Sequence, residues 1–182
     1  MGSGRGRSQP LPLRVDPGVH RDERDRFLNR IVHGPAENDC AIYVGAISND
    51  GYPVLRLRRE DGVRVVRAPR YALAVALEGA ELGADVRALH ECDNPACVRV
   101  VPADDVRRGV RLHVVGGDQR ENMQRMARMG RGGGRPQIVA RGAGRAARAA
   151  RSRAIREAVR HGWDTEAVTA ALLFGGAQAM LW

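Results

Sequence analysis

The pair Cys92 and Cys97 constrains this chain more than any other feature of its sequence. Four residues separate the two cysteines, in a segment that contains Pro95 and shows neither helical nor strand periodicity. Thiolates at this spacing can turn towards one centre, but two thiols do not complete the tetrahedral shell of a zinc ion. The chain offers one further cysteine, Cys40, and a histidine within reach, His113. We therefore predict a structural Cys3His zinc site made of Cys40, Cys92, Cys97 and His113.

Cysteine usage leaves one alternative to this site. Three cysteines are an odd number, and no apolar stretch follows the basic start of the chain, so no secretion signal is indicated. Both observations weigh against a disulfide framework. The alternative is a set of three free thiols in the core, because unpaired cysteine is a common core residue.

The charge of the chain indicates a polyanionic partner. Thirty basic residues, all of them arginine, stand against 21 acidic ones and give the 182 residues a net charge of +9. Eight of the nine net positive charges fall in residues 101–182. Arginine pairs bidentately with phosphate and releases counterions when it binds nucleic acid. The uncharged run 167–182 is interrupted by polar residues and glycines and is shorter than the ~20 apolar residues that span a bilayer, so we expect no membrane insertion.

Periodicity and turn residues predict an α+β chain in three parts. Residues 1–21 lack periodicity and are expected to form a flexible arm, residues 22–135 the main domain, and residues 136–182 a basic helical tail. In the main domain we expect a helix from Asp22 that ends at Gly34-Pro35, an antiparallel meander over 41–67, a helix from Ala68 to Leu77, a mostly irregular stretch over 86–115 and a helix from Asp118 to Met129. The last of these is marked by a capping box of Asp118 and Glu121. A linker over 131–136 precedes tail helices over 145–160 and from Asp164 to about Leu173, and a short segment over 178–182.

The motif residues, taken in order, resemble a known family. The pattern His90-x-Cys92-Asp93-Asn94-Pro95-x-Cys97, followed by His113 and then Asn122 nine residues later, is similar to the HNH endonucleases of phage and mobile-element origin. More narrowly, it resembles the His-Cys box homing endonucleases. The upstream run from Cys40 to Ala46, together with Gly51-Tyr52 and Arg70, resembles further landmarks of that family. The resemblance covers residues 25–135.

The resemblance implies a ββα-metal fold and a metal-dependent DNA endonuclease. It implies that His90 is the general base that activates water and that Asn122 is a ligand of the catalytic Mg²⁺. It also implies that Cys40, Cys92, Cys97 and His113 bind structural zinc. A strand arginine near the scissile phosphate is part of the family pattern, and Arg56 is our candidate, with Arg58 as the second choice. In HNH enzymes without the zinc site, the residue at the position of His113 orients the base instead, which is an alternative role here.

Three departures from the family pattern support a second hypothesis. Leu89 stands where many HNH enzymes have a metal-binding aspartate, Pro69 stands in place of a histidine, and sixteen positions separate Cys97 from His113 where the family usually has about five. The second hypothesis is therefore a zinc-stabilised DNA-binding protein without nuclease activity, or with a decayed one. An RNA-binding protein is less well supported, because only 4% of the residues are aromatic and stacking platforms for bases would be few.

The tail resembles the helix-turn-helix tails of resolvases and of some phage HNH proteins. The alternative is a basic amphipathic helix pair that packs on the main domain. In either case its arginines suit phosphate contacts that are independent of sequence. We predict DNA-backbone contacts by Arg58, Arg120, Arg125, Arg145, Arg148 and Arg156. The expected partner is double-stranded DNA. Cutting both strands would require a homodimer or sequential nicks. The expected location is the cytoplasm of a bacterial cell or of a phage-infected host.

Overall fold

The described part of the chain is a mixed α+β structure with small antiparallel sheets. The computed structural model describes residues 10–128 and 145–173. Its strands are β1 Leu13–Arg14, β2 Ile31–His33, β3 Ala41–Tyr43, β4 Ala46–Ile47, β5 Pro53–Arg59, β6 Gly62–Arg67, β7 Glu81–Leu82, β8 Arg87–His90 and β9 Val114–Gly117. Its helices are α1 Arg21–Leu28, α2 Ala68–Ala76, α3 Ala103–Arg107, α4 Gln119–Arg128, α5 Arg145–Ala158 and α6 Thr165–Leu173. The antiparallel pairs are β1 with β7, β2 with β3, β5 with both β4 and β6, and β8 with β9.

The meander predicted over 41–67 is confirmed for its longest strands. Strands β4, β5 and β6 form one sheet in which Arg56 lies opposite Val65 and Leu57 lies opposite Arg64. Leu57 is fully buried, whereas Arg56 and Arg58 are exposed, as the alternation of a half-buried strand requires. Strand β3 departs from the prediction, because it pairs with β2 and not with β4.

Helix α2 forms the centre of the main core. Pro69 occupies its first turn, where the missing N–H has no intrahelical partner to lose, as the sequence predicts. The Tyr71 ring meets Phe27 edge-to-face with centroids 4.8 Å apart, and Phe27 stacks on Tyr43 at 5.3 Å. These three rings join α1, β3 and α2 around one apolar cluster.

Two local predictions are wrong, and in both cases pairing partners distant in sequence explain the difference. The helix that begins at Arg21 ends at Leu28, and Ile31–His33 forms a strand because β-branched residues there pair with Ala41–Tyr43. Residues 86–115 are mostly irregular, as predicted, although they contain β8, α3 and the start of β9. Within the predicted arm 1–21, Leu13 pairs with Leu82, and Leu13 and Val15 are buried in the core.

The predicted helices at the C-terminal side lie close to their expected positions. In α4, the Asp118 carboxylate accepts the Glu121 N–H at 2.7 Å and the Glu121 carboxylate accepts the Asp118 N–H at 2.7 Å, which confirms the capping box. Helices α5 and α6 match the tail predictions to within two residues, and the carboxylate of Asp164 accepts the N–H of Ala167 at the start of α6. Met129, the linker 131–136 and the segment 178–182 lie outside the described residues.

Helix α5 packs against the main domain. Ile155 and Val159 share an apolar cluster with Ile42 and Ala96, which belong to β3 and to the loop after β8. This is the arrangement that the alternative to a helix-turn-helix tail predicts. No helix within residues 10–128 and 145–173 has both the length and the apolar character that crossing a bilayer requires.

Candidate metal centre and the residues around it

Four side chains predicted as zinc ligands meet at one point between β3, β8 and β9. Cys40 directly precedes β3, Cys92 and Cys97 lie in the loop that follows β8, and His113 directly precedes β9. The loop is held on β3, because the Tyr43 N–H donates to the Ala96 carbonyl at 3.1 Å and Cys97 forms a bridge with the neighbouring strand residue Ile42. The chain segments that carry the four ligands are thus fixed by backbone pairing.

The ligand atoms are close enough to one another to share a single metal ion. All four lie within 4.8 Å of one another. The Nδ1 atom of His113 is 3.6 Å from the Cys40 sulfur and 3.7 Å from the Cys97 sulfur. Around a zinc ion with tetrahedral Zn–S and Zn–N bonds, neighbouring ligand atoms are about 3.5–3.8 Å apart. The three thiols are therefore gathered into one Cys3His group that could hold a metal ion such as zinc.

Electrostatics within the group favour binding of a cation. The thiols of Cys40 and Cys97 lower the pKa of Cys92 well below its usual range, and His113 and His90 act in the same direction. The hydrogen bond with Cys92 raises the pKa of Cys40 to about 12, and burial raises that of Cys97. A bound dication would compensate the negative charge of the thiolates, because metal ligation requires the deprotonated form.

His90, the predicted general base, is the last residue of β8 and lies next to this group. It pairs with Val114 across the β8–β9 ladder. Both ring nitrogens are enclosed and have no hydrogen-bond partner among the described residues. Tyr52 lies beside the imidazole with ring centroids 6.5 Å apart. Leu89, the preceding residue, is buried because neighbouring side chains of a strand point to opposite faces.

Asn122, the predicted Mg²⁺ ligand, lies on the second turn of α4. The order β8, β9, α4 and the packing of α4 on β8 bring this helix to the strand that ends at His90. The Asn122 side chain is half-buried, and its amide nitrogen donates a hydrogen bond to the Met126 sulfur at 3.9 Å. Arg125, one turn further along, forms an ion pair with Glu91, which directly follows His90.

The arginines predicted to contact DNA fall into two groups. Arg58, Arg120 and Arg145 are exposed, and so is Arg56, the candidate for the scissile phosphate. The other three are partly buried and make contacts within the protein. Arg125 forms an ion pair with Glu91, Arg148 donates to the Asp50 carbonyl at 2.7 Å, and Arg156 donates to the Gly45 carbonyl at 3.4 Å. These contacts use some of the donors of each guanidinium, which has five in all.

Sequence reasoning missed an arginine that the fold places on the ring of Tyr52, the residue beside His90. The Arg67 guanidinium lies 4.1 Å from the centroid of the Tyr52 ring, and Arg148 lies 5.4 Å from the same centroid. Asp50 accepts from Arg67 at 2.6 Å. Gly51-Tyr52 is visible as a motif in the sequence, but nothing near Arg67 in the sequence indicates this stack, because its members come from β6, α5 and the turn before β5.

No protein-family model matches the chain, and no curated protein or solved structure matches it.

Proposed function

We propose that the protein is a metal-dependent DNA endonuclease that hydrolyses phosphodiester bonds. The observation that supports this best is the unit formed by β8, β9 and α4. His90 ends its first strand, the Cys3His group closes the loop between its strands, and Asn122 lies on the helix that packs against it. A ββα-metal nuclease core would have this order of elements.

In this proposal the chain's own residues carry distinct steps. The imidazole of His90 accepts a proton from water, the role of a general base. The amide oxygen of Asn122, a hard neutral ligand, would hold the Mg²⁺, which would supply charge neutralisation at the phosphate and the leaving oxygen. Zinc held by the four Cys3His ligands would fix the end of β8 and thus the position of His90.

Arginine supplies the fixed positive charge in this mechanism. Arg56 remains our candidate for the residue at the scissile phosphate, since it is an exposed arginine on β5. Arg67 is a further candidate, because its guanidinium lies on the ring of Tyr52, and Tyr52 in turn lies beside His90. A guanidinium is useful there because negative charge develops on the phosphate oxygens in the transition state. The substrate would be double-stranded DNA, in the cytoplasm of a bacterial cell or of a phage-infected host.

The decisive experiment compares plasmid cleavage by the wild type and by His90→Ala, with Mg²⁺ present and with zinc content measured in both proteins. We expect cleavage to fall by at least about 10²-fold in the variant, the lower range for loss of a positioned general base. Zinc content and DNA retention should stay unchanged. His33→Ala is the matched control, because His33 is an exposed histidine on β2. This variant should cleave DNA at the wild-type rate. Undiminished cleavage by His90→Ala would remove His90 from its proposed role.

A second function has an observation in its favour. The enclosed ring nitrogens of His90, and the buried apolar side chain of Leu89 where a carboxylate ligand is expected, suit a zinc-stabilised DNA-binding protein without nuclease activity. That protein would retain DNA in a salt-dependent manner and cleave none with Mg²⁺, Mn²⁺ or Zn²⁺. Hydrolysis by protein purified free of contaminating nucleases would exclude it.

A further inference from the structure

Helix α4, which carries Asn122, is held on the main domain without an apolar face. No side chain of residues 119–127 is buried, and only Asn122 and Arg125 are half-buried. The large apolar residues of this range, Met123 and Met126, are 52% and 36% exposed. Docked helices usually owe their stability to an apolar face that packs on the core. Since α4 nevertheless packs on β8, the contact depends on its half-buried polar side chains.

Arg125 and Glu91 form the ion pair that joins α4 to the end of β8. The Arg125 side chain is 14% exposed, and its Nη2 donates to the Glu91 carboxylate. Its Nε and Nη1 atoms are enclosed and have no hydrogen-bond partner in the part of the chain that the structure describes. The guanidinium is thus withdrawn from solvent, with Glu91 as its acceptor. Partly buried charges are screened by salt far less than exposed ones, so this pair can hold the helix.

Glu91 is itself fixed by the backbone of the β8–β9 unit. It directly follows His90, and its N–H donates to the His113 carbonyl at 2.7 Å. Its carboxylate therefore projects from a point that the strand pairing sets. Residues three apart on a helix lie on the same face, so holding Arg125 at this point also determines where Asn122 lies.

We propose that Glu91 and Arg125 are positioning residues, whose ion pair sets the distance and orientation of Asn122 relative to His90. The inference rests on the proposed endonuclease function, in which these two residues act together. A displaced Asn122 would misalign the reacting groups, and a misplacement of about 1 Å can lower a rate ~10²-fold. This role differs from the DNA-backbone contact predicted for Arg125, because its guanidinium acts on Glu91 within the protein.

The test removes each partner alone and then both. We expect the single-turnover rate of plasmid cleavage to fall about 10–100-fold in Glu91→Gln and in Arg125→Gln. The double variant should lose no more than about a further twofold, because the two partners act as a unit. Backbone amides of α4 should exchange hydrogen faster in all three variants, a measurement that needs neither DNA nor Mg²⁺. Asp104→Asn is the matched control, since it breaks the exposed ion pair with Arg107 on α3 and should change neither quantity.

DNA retention separates this role from a direct contact with the DNA backbone. A backbone contact predicts weaker retention by Arg125→Gln and normal cleavage by Glu91→Gln, and this pattern would overturn the inference. In the positioning role, Glu91→Gln loses cleavage while its zinc content and DNA retention stay at the wild-type level. If Glu91→Gln does not fold, Arg125→Lys provides the comparison. It should recover most of the cleavage that Arg125→Gln loses, because the contact uses one nitrogen of the guanidinium.

Failure of this inference and failure of the proposed function give different results. A wild type that cleaves DNA, with equal rates in the variants or with additive losses in the double variant, would overturn the inference alone. A wild type that cleaves no DNA would overturn the proposed function. In either case, unchanged hydrogen exchange of α4 in Glu91→Gln would show that the ion pair does not hold the helix.

Discussion

Glu23 shows how one residue can connect three elements. Its carboxylate, on α1, accepts from the Arg59 guanidinium at 2.7 Å and from the Tyr71 hydroxyl at 2.8 Å, and the side chain is 9% exposed. Burial alone would raise the pKa of this carboxyl, but the hydrogen bonds from Arg59 and Tyr71 outweigh it and lower the pKa. The ionised form of Glu23 therefore stabilises the fold.

Replacement of Glu23 by glutamine should weaken the fold in a pH-dependent way. We expect the free energy of unfolding to fall by roughly 1.5–3 kcal/mol at pH 7, as for buried hydrogen bonds to a charged group. In the wild type the contribution is present above the unfolded pKa of about 4.3 and is lost as the pH falls through the lower folded pKa. Urea titrations from pH 7 to pH 3 should show the gap between the two proteins closing at the acid end.

The control for this change is Asp61→Asn, which breaks the exposed ion pair with Arg64. Exposed pairs contribute about 0–1 kcal/mol, so its stability should stay near that of the wild type at every pH. A gap between Glu23→Gln and the wild type that stays constant down to pH 3 would contradict the assignment.

At the same scale, single residues divide by how far their chemistry shows in the sequence. Cys92 and Cys97 indicate a metal site from residue type and spacing, because few other roles place two thiols so close in an irregular loop. Arg67 is one of many arginines, and no spacing or motif in the sequence distinguishes it from the others. Its position against Tyr52 follows from the register of β6, which local sequence does not encode.

At the scale of elements, the contact between α5 and the turn before β5 connects the tail to the main domain. The Ser152 hydroxyl donates to the Gly51 carbonyl at 2.6 Å, and the Arg148 Nε donates to the Asp50 carbonyl at 2.7 Å. Gly51 has a positive φ of 85°. A Cβ at this position would lie 2.8 Å from the backbone nitrogen of Ala149, so glycine is needed both for the turn and for the close approach of the helix.

Gly51→Ala should therefore destabilise the protein more than an alanine placed in a free turn. Gly62 is the matched control, since it has a φ of 112° and a Cβ there meets nothing within 4 Å. We expect about 1–2 kcal/mol of backbone strain in both variants and a further 1–3 kcal/mol of overpacking in Gly51→Ala alone. Denaturant unfolding measures both. Faster proteolysis of α5 should accompany the Gly51 change, and equal stability of the two variants would show that α5 does not press on this turn.

Helices and strands also differ in how well the sequence predicts them. Helices α2 and α4 follow from a proline in the first turn and from a capping box, both of which act within a few residues. Strand β2 cannot be predicted from local signals in this way. Its three residues extend an apolar pattern that suits a helix, and they form a strand because they pair with β3. Local signals set the helices, and partners distant in sequence set the short strands.

At the scale of the whole molecule, the Cys3His group connects segments that are far apart in the sequence. It joins the residue before β3 to the loop after β8 and to the residue before β9. Since α5 packs on the same loop through Ile155 and Ala96, a metal ion there would support both parts of the chain. Metal binding and folding are then coupled.

Metal removal should accordingly lower the stability of the whole chain in one step. With free zinc at about 1,000 times its dissociation constant, binding contributes about 4 kcal/mol to the free energy of unfolding. A strong chelator, or His113→Ala, should remove this contribution and lower the melting temperature, with one zinc released per wild-type chain. His161→Ala, which changes an exposed histidine after α5, should behave like the wild type. An unchanged melting temperature with the chelator would show that the group holds no structural metal.

The sequence by itself identified the four residues of the Cys3His group, the capped and proline-initiated helices and the charge that suits a polyanion, because each depends on residue type or on neighbours within one turn. The tertiary structure decided the pairing of β2 with β3, the burial of Leu13 and Val15 and the docking of α5. It also decided the surroundings of His90, where Tyr52 lies beside the imidazole and the ring nitrogens are enclosed. These features depend on contacts between segments distant in the chain, whose register is set by burying a common core and not by any local pattern.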